Sequence, residues 1–585
     1  MNSSPMKVFI RQAFARILPA QILSLIIPSL ATFLNGIIVG NFYGADKMAV
    51  LGYSTQIVFA IQIMLYLFGE GGTVVAGNHI GGGNFGKVNT VFSVSVGSLV
   101  VLGGIFTVLC VSFADPVTSL LGADCANKEF FSQASSYNIG LFISAVPTLL
   151  ASCLMSFVQL KNGSKHVVIS TLIITVLTIT FDILFAVIFN IGIVGISLAS
   201  GTANLIAAVY LFAVAFSKKA NYRFSLKNLT PGLICDIVKA GSGSAILGIS
   251  VLIRNSVLIH LLSQAGAEYM AGFSILATVC GPFDTIQLGI LGTTKILGSI
   301  FVGEKSKTGI KEIIKLSLKT SQICGAISFV LFSLLSYPLA RLYGADGVIL
   351  KNTILAIISY ASMSLFSYVV FTIISLHQIL KRYFLTMGSH IFINIIITIP
   401  CCLLLSLTGT GSALYIALSL SALIFEIIIF LVTFILIKKQ KRDKTDILLL
   451  PRDYDDKILD LSTSSENDIC AISEKIHKFC LSNNIDGKKS MHCALAAEEM
   501  IGNIFYHGFT KTTVQPNVNV LVKVENDSIV MTIHDNAVEF NPESRYTLTS
   551  PDDPVKNIGI RIVYSIATEI TYQRTFGLNI LMIKF

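Results

Sequence analysis

Long apolar runs recur over the first three quarters of the chain, separated by short polar, glycine-rich or basic stretches. A bilayer core about 30 Å thick takes roughly 20 residues of helix. Segments near 14–39, 49–76, 91–113, 137–160, 166–190, 192–216, 238–262, 271–300, 315–338, 353–377, 384–406 and 411–437 have that length, which predicts about twelve spans. The 43 residues from Tyr383 to Phe425 lack any Asp, Glu, Lys or Arg and are too many for one crossing. The turn-forming Thr408-Gly-Thr-Gly-Ser412 splits them into two. From about Leu450 the pattern becomes that of a soluble α/β domain. Helices are expected over 465–483 and 488–507, and strands over 517–525 and 528–534 around a turn at Asn526-Asp527. A helix over 559–567 and two short strands complete the expectation.

Composition sharpens this division. Charged residues make up 13% of the chain against about 25% in an average soluble protein, and hydrophobic ones 53%. Residues 446–585 hold 13 Lys+Arg and 19 Asp+Glu; the remaining 29 and 14 give residues 1–445 a balance of +15. That positive charge is scattered between apolar spans, so it reads as loop charge facing anionic lipid, with no nucleic-acid partner. With a cytosolic N-terminus, the inner loops hold Lys87, Lys161, Lys165, Arg223, Lys305, Lys381 and Arg382 among others, and the outer ones only Lys47, Lys128, Arg341 and Lys351. The positive-inside rule then puts both termini in the cytosol of a multi-pass protein of the cytoplasmic membrane. The first apolar stretch lacks a cleavage pattern and is expected to remain as a span. The 11 cysteines show no metal-like spacing and read as packing residues.

The membrane part repeats itself. At an offset of 222 residues, Gly44, Ala45, Met48 and Ala49 match Gly266, Ala267, Met270 and Ala271; Gly81 matches Gly303, and Gly122-Ala-Asp124 matches Gly344-Ala-Asp346. Six spans per repeat leave both halves with one orientation, a recurring plan of secondary transporters that rock about a central site. Gly36-Ile-Ile-Val-Gly40, Tyr43-Gly-Ala-Asp-Lys-Met-Ala49 and Gly192-Ile-Val-Gly-Ile-Ser-Leu-Ala-Ser200 resemble motifs of the multidrug and toxic-compound extrusion (MATE) transporters over about residues 10–440.

Ionisable residues inside spans are costly and are functional candidates by default. They are Arg16, Glu70, Asp182, Arg254, His260, Asp284, Lys295, His390 and Glu426. Arg16 is expected to snorkel, and the two histidines to pack. Asp182, in Thr178-Ile-Thr-Phe-Asp-Ile-Leu-Phe185, has no neighbouring charge; a desolvated carboxylate of this kind can exchange protons under physiological conditions. The resemblance implies that Asp182 belongs to a cation site with Asn35, Thr178 and Ser200, coupling transport to a proton or sodium ion. Asn35 departs from the family, which often has aspartate there. Glu70, Arg254, Asp284 and Lys295 are substrate-cavity candidates. Asp284 and Lys295 are eleven residues apart, share a helix face, and with Arg254 form a candidate buried charge network.

Three motifs in the tail resemble the Bergerat-type ATP-binding fold of histidine kinases and anti-sigma-factor serine kinases. Glu498-Glu-Met-Ile-Gly-Asn503 lies on a helix, with Glu499 and Asn503 four apart on one face. Asp535-Asn-Ala-Val-Glu-Phe-Asn-Pro542 follows a strand, and Lys556-Asn-Ile-Gly-Ile-Arg-Ile-Val563 opens a helix whose N–H groups can hold phosphate. The ending Tyr572-Gln-Arg-Thr-Phe-Gly-Leu-Asn579 adds to the likeness. It implies Glu499 as general base, Asn503 as ligand of ATP-bound Mg, Asp535 at the adenine amino group, and Phe540 and Gly559 in the pocket. Ala537 stands where the family has glycine.

The expected architecture is an all-α polytopic membrane protein of two six-helix repeats (1–222 and 223–440), a linker (441–456) and a C-terminal cytosolic α/β sandwich (457–585). The expected function is ion-coupled efflux of small cationic or amphiphilic compounds, with an ATP-binding regulatory domain that also offers a surface to a cytosolic protein partner. A lipid-linked saccharide flippase and a membrane-anchored serine/threonine kinase or sensor are the alternatives.

Overall fold

The computed structural model describes residues 5–43, 45–120, 128–161, 163–189, 191–217, 222–227, 229–343, 345–441, 448–449, 457–512, 514–525, 528–542, 558–575 and 578–585. Gly44, Gly122–Asp124, Gly344, Asn526-Asp527, Lys556-Asn557 and the side chain of Asn35 lie outside the described residues.

Among the described residues, twelve helical segments are long and apolar enough to cross a membrane. In the first half these are α1 (Pro5–Tyr43), the pair α2 (Ala45–Met64) and α3 (Gly71–Gly81), α4 (Phe85–Ser112), α6 (Lys128–Leu160), α7 (Ser164–Ile183) and α8 (Ile193–Ala215), with short α5 (Ala114–Leu120) between α4 and α6. The second half holds α9 (Pro231–Ala265), α10 (Ala267–Val279) running on into α11 (Gly281–Glu304), α12 (Lys307–Leu342), α13 (Gly347–Ile379), α14 and α15 (Tyr383–Ile391, Thr398–Ser406), and α16 (Ala417–Lys439). Local signals set several starts. Thr230 caps α9, its hydroxyl accepting from Leu233 N at 3.2 Å ahead of Pro231, and Ser306 caps α12 through Gly309 N at 3.1 Å. Gly409, at φ 73, turns the chain between the last two spans. Large apolar side chains such as Val108, Leu334 and Leu404 stand outward on the bundle, as lipid-facing positions do.

Within the described residues the first six spans pack chiefly among themselves, as do the second six, and the two bundles meet along α1–α11, α3–α11 and α3–α9. The α3–α11 contact carries the internal symmetry. A Cβ built on Gly81 would fall 1.9 Å from the carbonyl oxygen of Ile300, and one on Gly303 would fall 2.1 Å from that of Asn78. Residues 78 and 81 are the 222-offset mates of 300 and 303, so each half presents the same patch to the other, as a two-fold axis requires.

The C-terminal domain is one antiparallel sheet in the order β1-β2-β3-β5-β4, with helices on one face. Its elements are β1 (Ile458–Thr463), α17 (Ile469–Ser482), α18 (Gly487–Asn503), β2 (Val518–Glu525), β3 (Ser528–Asp535), α19 (Ile558–Ile566), β4 (Glu569–Thr575) and β5 (Leu578–Lys584). Period-two alternation puts Val518, Val520, Val522, Met531, Ile533 and Ile583 against the helices. Strand β1, absent from the sequence expectation, pairs antiparallel with β2. Its Ile-Leu-Asp-Leu-Ser-Thr alternates too weakly to stand out after a polar linker.

Candidate functional site

Three polar candidates, and Asn394, which the sequence did not single out, sit beside a wide π turn, a feature frequent at functional sites because it displaces the following side chain from the regular helical face. Glu70 ends the π turn Leu65–Glu70, Asp182 lies two residues before Leu184–Ile188, Asn394 falls within Phe392–Ile397, and Asn503 directly precedes Ile504–Gly508. Nothing in the pattern of apolar residues marks these turns.

Asp182 is 1% exposed, and neither carboxylate oxygen has a hydrogen-bond partner among the described residues. Thr178, one turn earlier on α7, is also buried, and Ser200 on α8 is half-buried. A bare carboxylate held this far from water costs several kcal/mol, on the order of the penalty for a buried ion, unless a proton or cation neutralises it. Among the described residues no cation pairs with it, so a proton or cation taken up from solution is the candidate neutralising charge.

The other membrane charges are joined differently from the sequence expectation. Asp284 and Lys295 share α11 but not a bond. Lys295 reaches across to Glu70 of the first bundle, 225 residues away, and also donates to Ser244 at 3.2 Å. Asp284 accepts from the Tyr360 hydroxyl at 2.9 Å, while Arg254 donates to Asn394 at 2.9 Å and to Asn255. The candidate network is therefore two clusters: Glu70–Lys295 bridges the bundles, and Arg254 with Asp284 lies within the second. A further inter-bundle pair, Arg11–Glu312 at 3.0 Å, ties α1 to α12. His390 is buried and stacks on Phe371, ring centres 5.7 Å apart, whereas His260 is exposed and contacts Gln264. Glu426 is half-buried.

In the C-terminal domain one pocket gathers Asn503, Asp535, Ala537, Phe540, Tyr572 and Asn579. Asp535 ends β3. Its Oδ1 accepts from Ala537 N at 2.9 Å and from Asn579 Nδ2 at 2.7 Å, which leaves Oδ2 to accept from a ligand. Burial pushes its pKa up to about 6 against these bonds, so it remains a carboxylate at neutral pH. Tyr572 donates to Asn579 at 2.7 Å and orients it. Asn503 Nδ2 is buried without a partner among the described residues at the mouth of its π turn. Glu499 lies against the start of α19, where a Cβ on Gly559 would meet its Oε2 at 2.0 Å. The Ala537 methyl is accommodated by Gly508, whose own Cβ would come within 2.8 Å of it. An orphaned amide, a half-used carboxylate and a glycine-led helix start form a donor set that fits an adenine nucleotide.

Comparison with known proteins gives two family matches: residues 20–184 match the model for MatE, and residues 464–585 that for the histidine kinase-like ATPase domain. The chain is 24% identical over 333 residues to the multidrug export protein MepA of Staphylococcus saprophyticus, covering 56% of this chain and 72% of that protein. Its counterpart from Staphylococcus haemolyticus is 23% identical over 345 residues, 57% and 75% of the two chains. Among solved structures, a MOP superfamily transporter from Pyrococcus furiosus superposes with a TM-score of 0.67 at 16% identity, over 75% of this chain and 98% of that one. An outward-facing multidrug resistance MATE family transporter gives 0.67 at 17% identity, over the same shares.

Proposed function

We propose that this chain, a MATE transporter body fused to a histidine kinase-like ATPase domain, exports small cationic or amphiphilic compounds by antiport against an ion, with its ATP-binding domain as regulator. The observation that carries the reading is Asp182, buried at 1% with both oxygens unpartnered among the described residues. A single carboxylate of this kind takes up one charge and releases it when the site opens. A proton suits it better than sodium, which needs several hard oxygens, because neither oxygen of Asp182 has a hydrogen-bond partner among the described residues. For a neutral substrate, one charge moved through the full field is worth about 2.3 kcal/mol per 100 mV, enough for roughly a fifty-fold gradient. A singly charged cation exchanged for one ion moves no net charge and is driven by the ion's own concentration gradient. The multidrug export protein that is 24% identical over 56% of this chain supports the substrate class.

In the tail, Asp535 would receive the adenine amino group between Phe540 and Tyr572, Asn503 would serve the magnesium that accompanies the phosphates, and the start of α19 at Gly559 would face them. ATP supplies phosphates and their metal when bound. The chain's own part is to hold the base by Asp535 and keep Glu499 beside Gly559. The excess of basic residues in the inner loops supports a cytosolic position for this domain.

The test is export of a cationic dye by the full chain in liposomes under separately imposed proton and sodium gradients. Dye should move under one gradient, and Asp182→Asn should abolish that movement. Gradient-driven export that survives Asp182→Asn defeats the coupling assignment. Calorimetric titration of the full chain with Mg-ATP tests the tail, with Asn503→Ala expected to lose binding at least tenfold.

A further inference from the structure

The outer face of the C-terminal sheet is covered. Along β2, β3 and β5, residues alternating with the domain core point away from its helices: Asn519, Leu521, Thr532, His534 and Met582. All five are at most 3% exposed. The membrane body buries them. His534 Nε2 lies 3.0 Å from Oε1 of Glu304, the last residue of α11, with side-chain exposures of 1% and 2%. Met582 fills the space over Gly83, just past the end of α3, where a Cβ on the glycine would fall 1.8 Å from the methionine sulfur. Strands β1 and β2 rest on α1, and Arg382 at the end of α13 holds the approaching linker by the carbonyls of Leu448 and Leu449, at 2.5 and 2.6 Å.

These contacts have a specific position. Gly83 belongs to the first bundle and Glu304 to the second, and both directly follow the glycine contact of α3 with α11. The sheet therefore crosses the seam where the two-fold axis emerges. Burial alone would push the His534 pKa down. The Glu304 carboxylate, by its charge and hydrogen bond and helped by Asp460 and Asp535, outweighs burial and pushes it up. A polar cavity of 390 Å³ lies beneath the sheet, lined by Asn78 of α3, Lys305 and Lys381 of the second bundle and Lys523 of β2, so the rigid contacts are concentrated at Gly83 and Glu304.

We propose that the C-terminal domain is a clamp on the cytosolic seam: the outer face of its sheet docks on both bundles at once, and the seam opens only when the His534–Glu304 and Met582–Gly83 contacts release. The inference rests on the transporter reading, since rocking of the bundles is the motion a clamp opposes. It also links the clamp to the nucleotide pocket. His534 and Asp535 are consecutive on β3 and project from opposite faces, one to the seam and one to the pocket.

The experiment uses the full chain in lipid nanodiscs with Ser299→Cys as reporter. Ser299 is 0% exposed, facing Gly77 across the seam, and becomes accessible when the bundles part. Its alkylation by a water-soluble maleimide is followed by peptide mass spectrometry, which separates it from the native cysteines. His534→Ala and Glu304→Ala, which break the contact from opposite sides, should each raise the alkylation rate at least tenfold. His534→Gln, which keeps a hydrogen bond to Glu304, should stay within threefold. Met582→Asp, acting on the first bundle, should raise the rate as His534→Ala does. Parent rates in His534→Ala, Glu304→Ala and Met582→Asp alike overturn the clamp. The readout needs neither substrate nor nucleotide, so failed dye export or absent ATP binding refutes the functional reading separately.

Discussion

Gly81→Ala is the sharpest test of how the bundles close. In a helix this substitution ordinarily stabilises, by up to about 1 kcal/mol, because alanine loses less backbone freedom. Here the added methyl falls 1.9 Å from the Ile300 carbonyl oxygen and 2.8 Å from the Glu304 backbone nitrogen. Against an ordinary contact of about 3.5 Å the shortfall exceeds 1 Å, and the obstacle is backbone that cannot rotate aside. Overpacking of this kind costs about 1–3 kcal/mol, and the cost falls only on the closed seam. The propensity gain applies to open and closed states equally and cancels. The open population should therefore rise about 5- to 150-fold. Hydrogen–deuterium exchange of the full chain reads this directly, as faster exchange in peptides covering 71–81 and 293–304. Gly303→Ala, its repeat mate at 2.1 Å from the Asn78 carbonyl, should give a matching increase, while Gly97→Ala, with nothing within 4 Å, should leave the seam peptides unchanged. Unaltered protection in Gly81→Ala, or a response to only one of the mated glycines, would refute the symmetric closure.

Other expectations follow from the same geometry. Nucleotide affinity should fall as pH drops through about 6, because Asp535 Oδ2 accepts only while ionised; Asp535→Asn should remove this dependence. The sign for folding is opposite: with its pKa raised above the unfolded 3.8, this group alone adds stability as pH falls from above 6 toward 4, so lost binding there is not lost folding. Gly508→Ala should lower the thermal midpoint by bringing two methyl groups within 2.8 Å, and adding Ala537→Gly should restore it. Lys295→Met strands the Glu70 carboxylate at the bundle interface; it should destabilise the closed state by about 1–3 kcal/mol and speed exchange of residues 65–81, and Glu70→Gln in the same chain should recover part of the loss.

What could be read from the sequence was whatever is local or periodic. Apolar runs of membrane length marked the spans, and Thr408–Ser412 marked the split in the longest of them, because hydropathy and turn chemistry are decided within a few residues. Gly81 and Gly303 showed as a repeat pair, but not that each packs against the other half. The Glu70–Lys295 and His534–Glu304 contacts span 225 and 230 residues, and no pattern along a chain pairs charges across such distances. For the same reason Asp284 and Lys295 looked like partners: helical phase puts them on one face, and only packing shows that one turns to Tyr360 and the other to the opposite bundle. The π turns escaped notice because their extra residue perturbs apolar phase less than ordinary sequence variation does. In the tail, the three motifs led to the pocket, and the ending Tyr572–Asn579 added to the likeness without showing that Asn579 and Tyr572 complete that pocket from β5 and β4.

The placement of the sheet on the axis has a consequence for stoichiometry. A two-fold body offers any ligand at its pole two equivalent poses related by half a turn, and the poses overlap, so one cap excludes a second. A free-standing cap would be split between the two poses. The tether held by Arg382 selects one, leaving an asymmetric lid on a symmetric machine. Seated at the pivot, that lid responds to the angle between the halves and is blind to movements the halves make together.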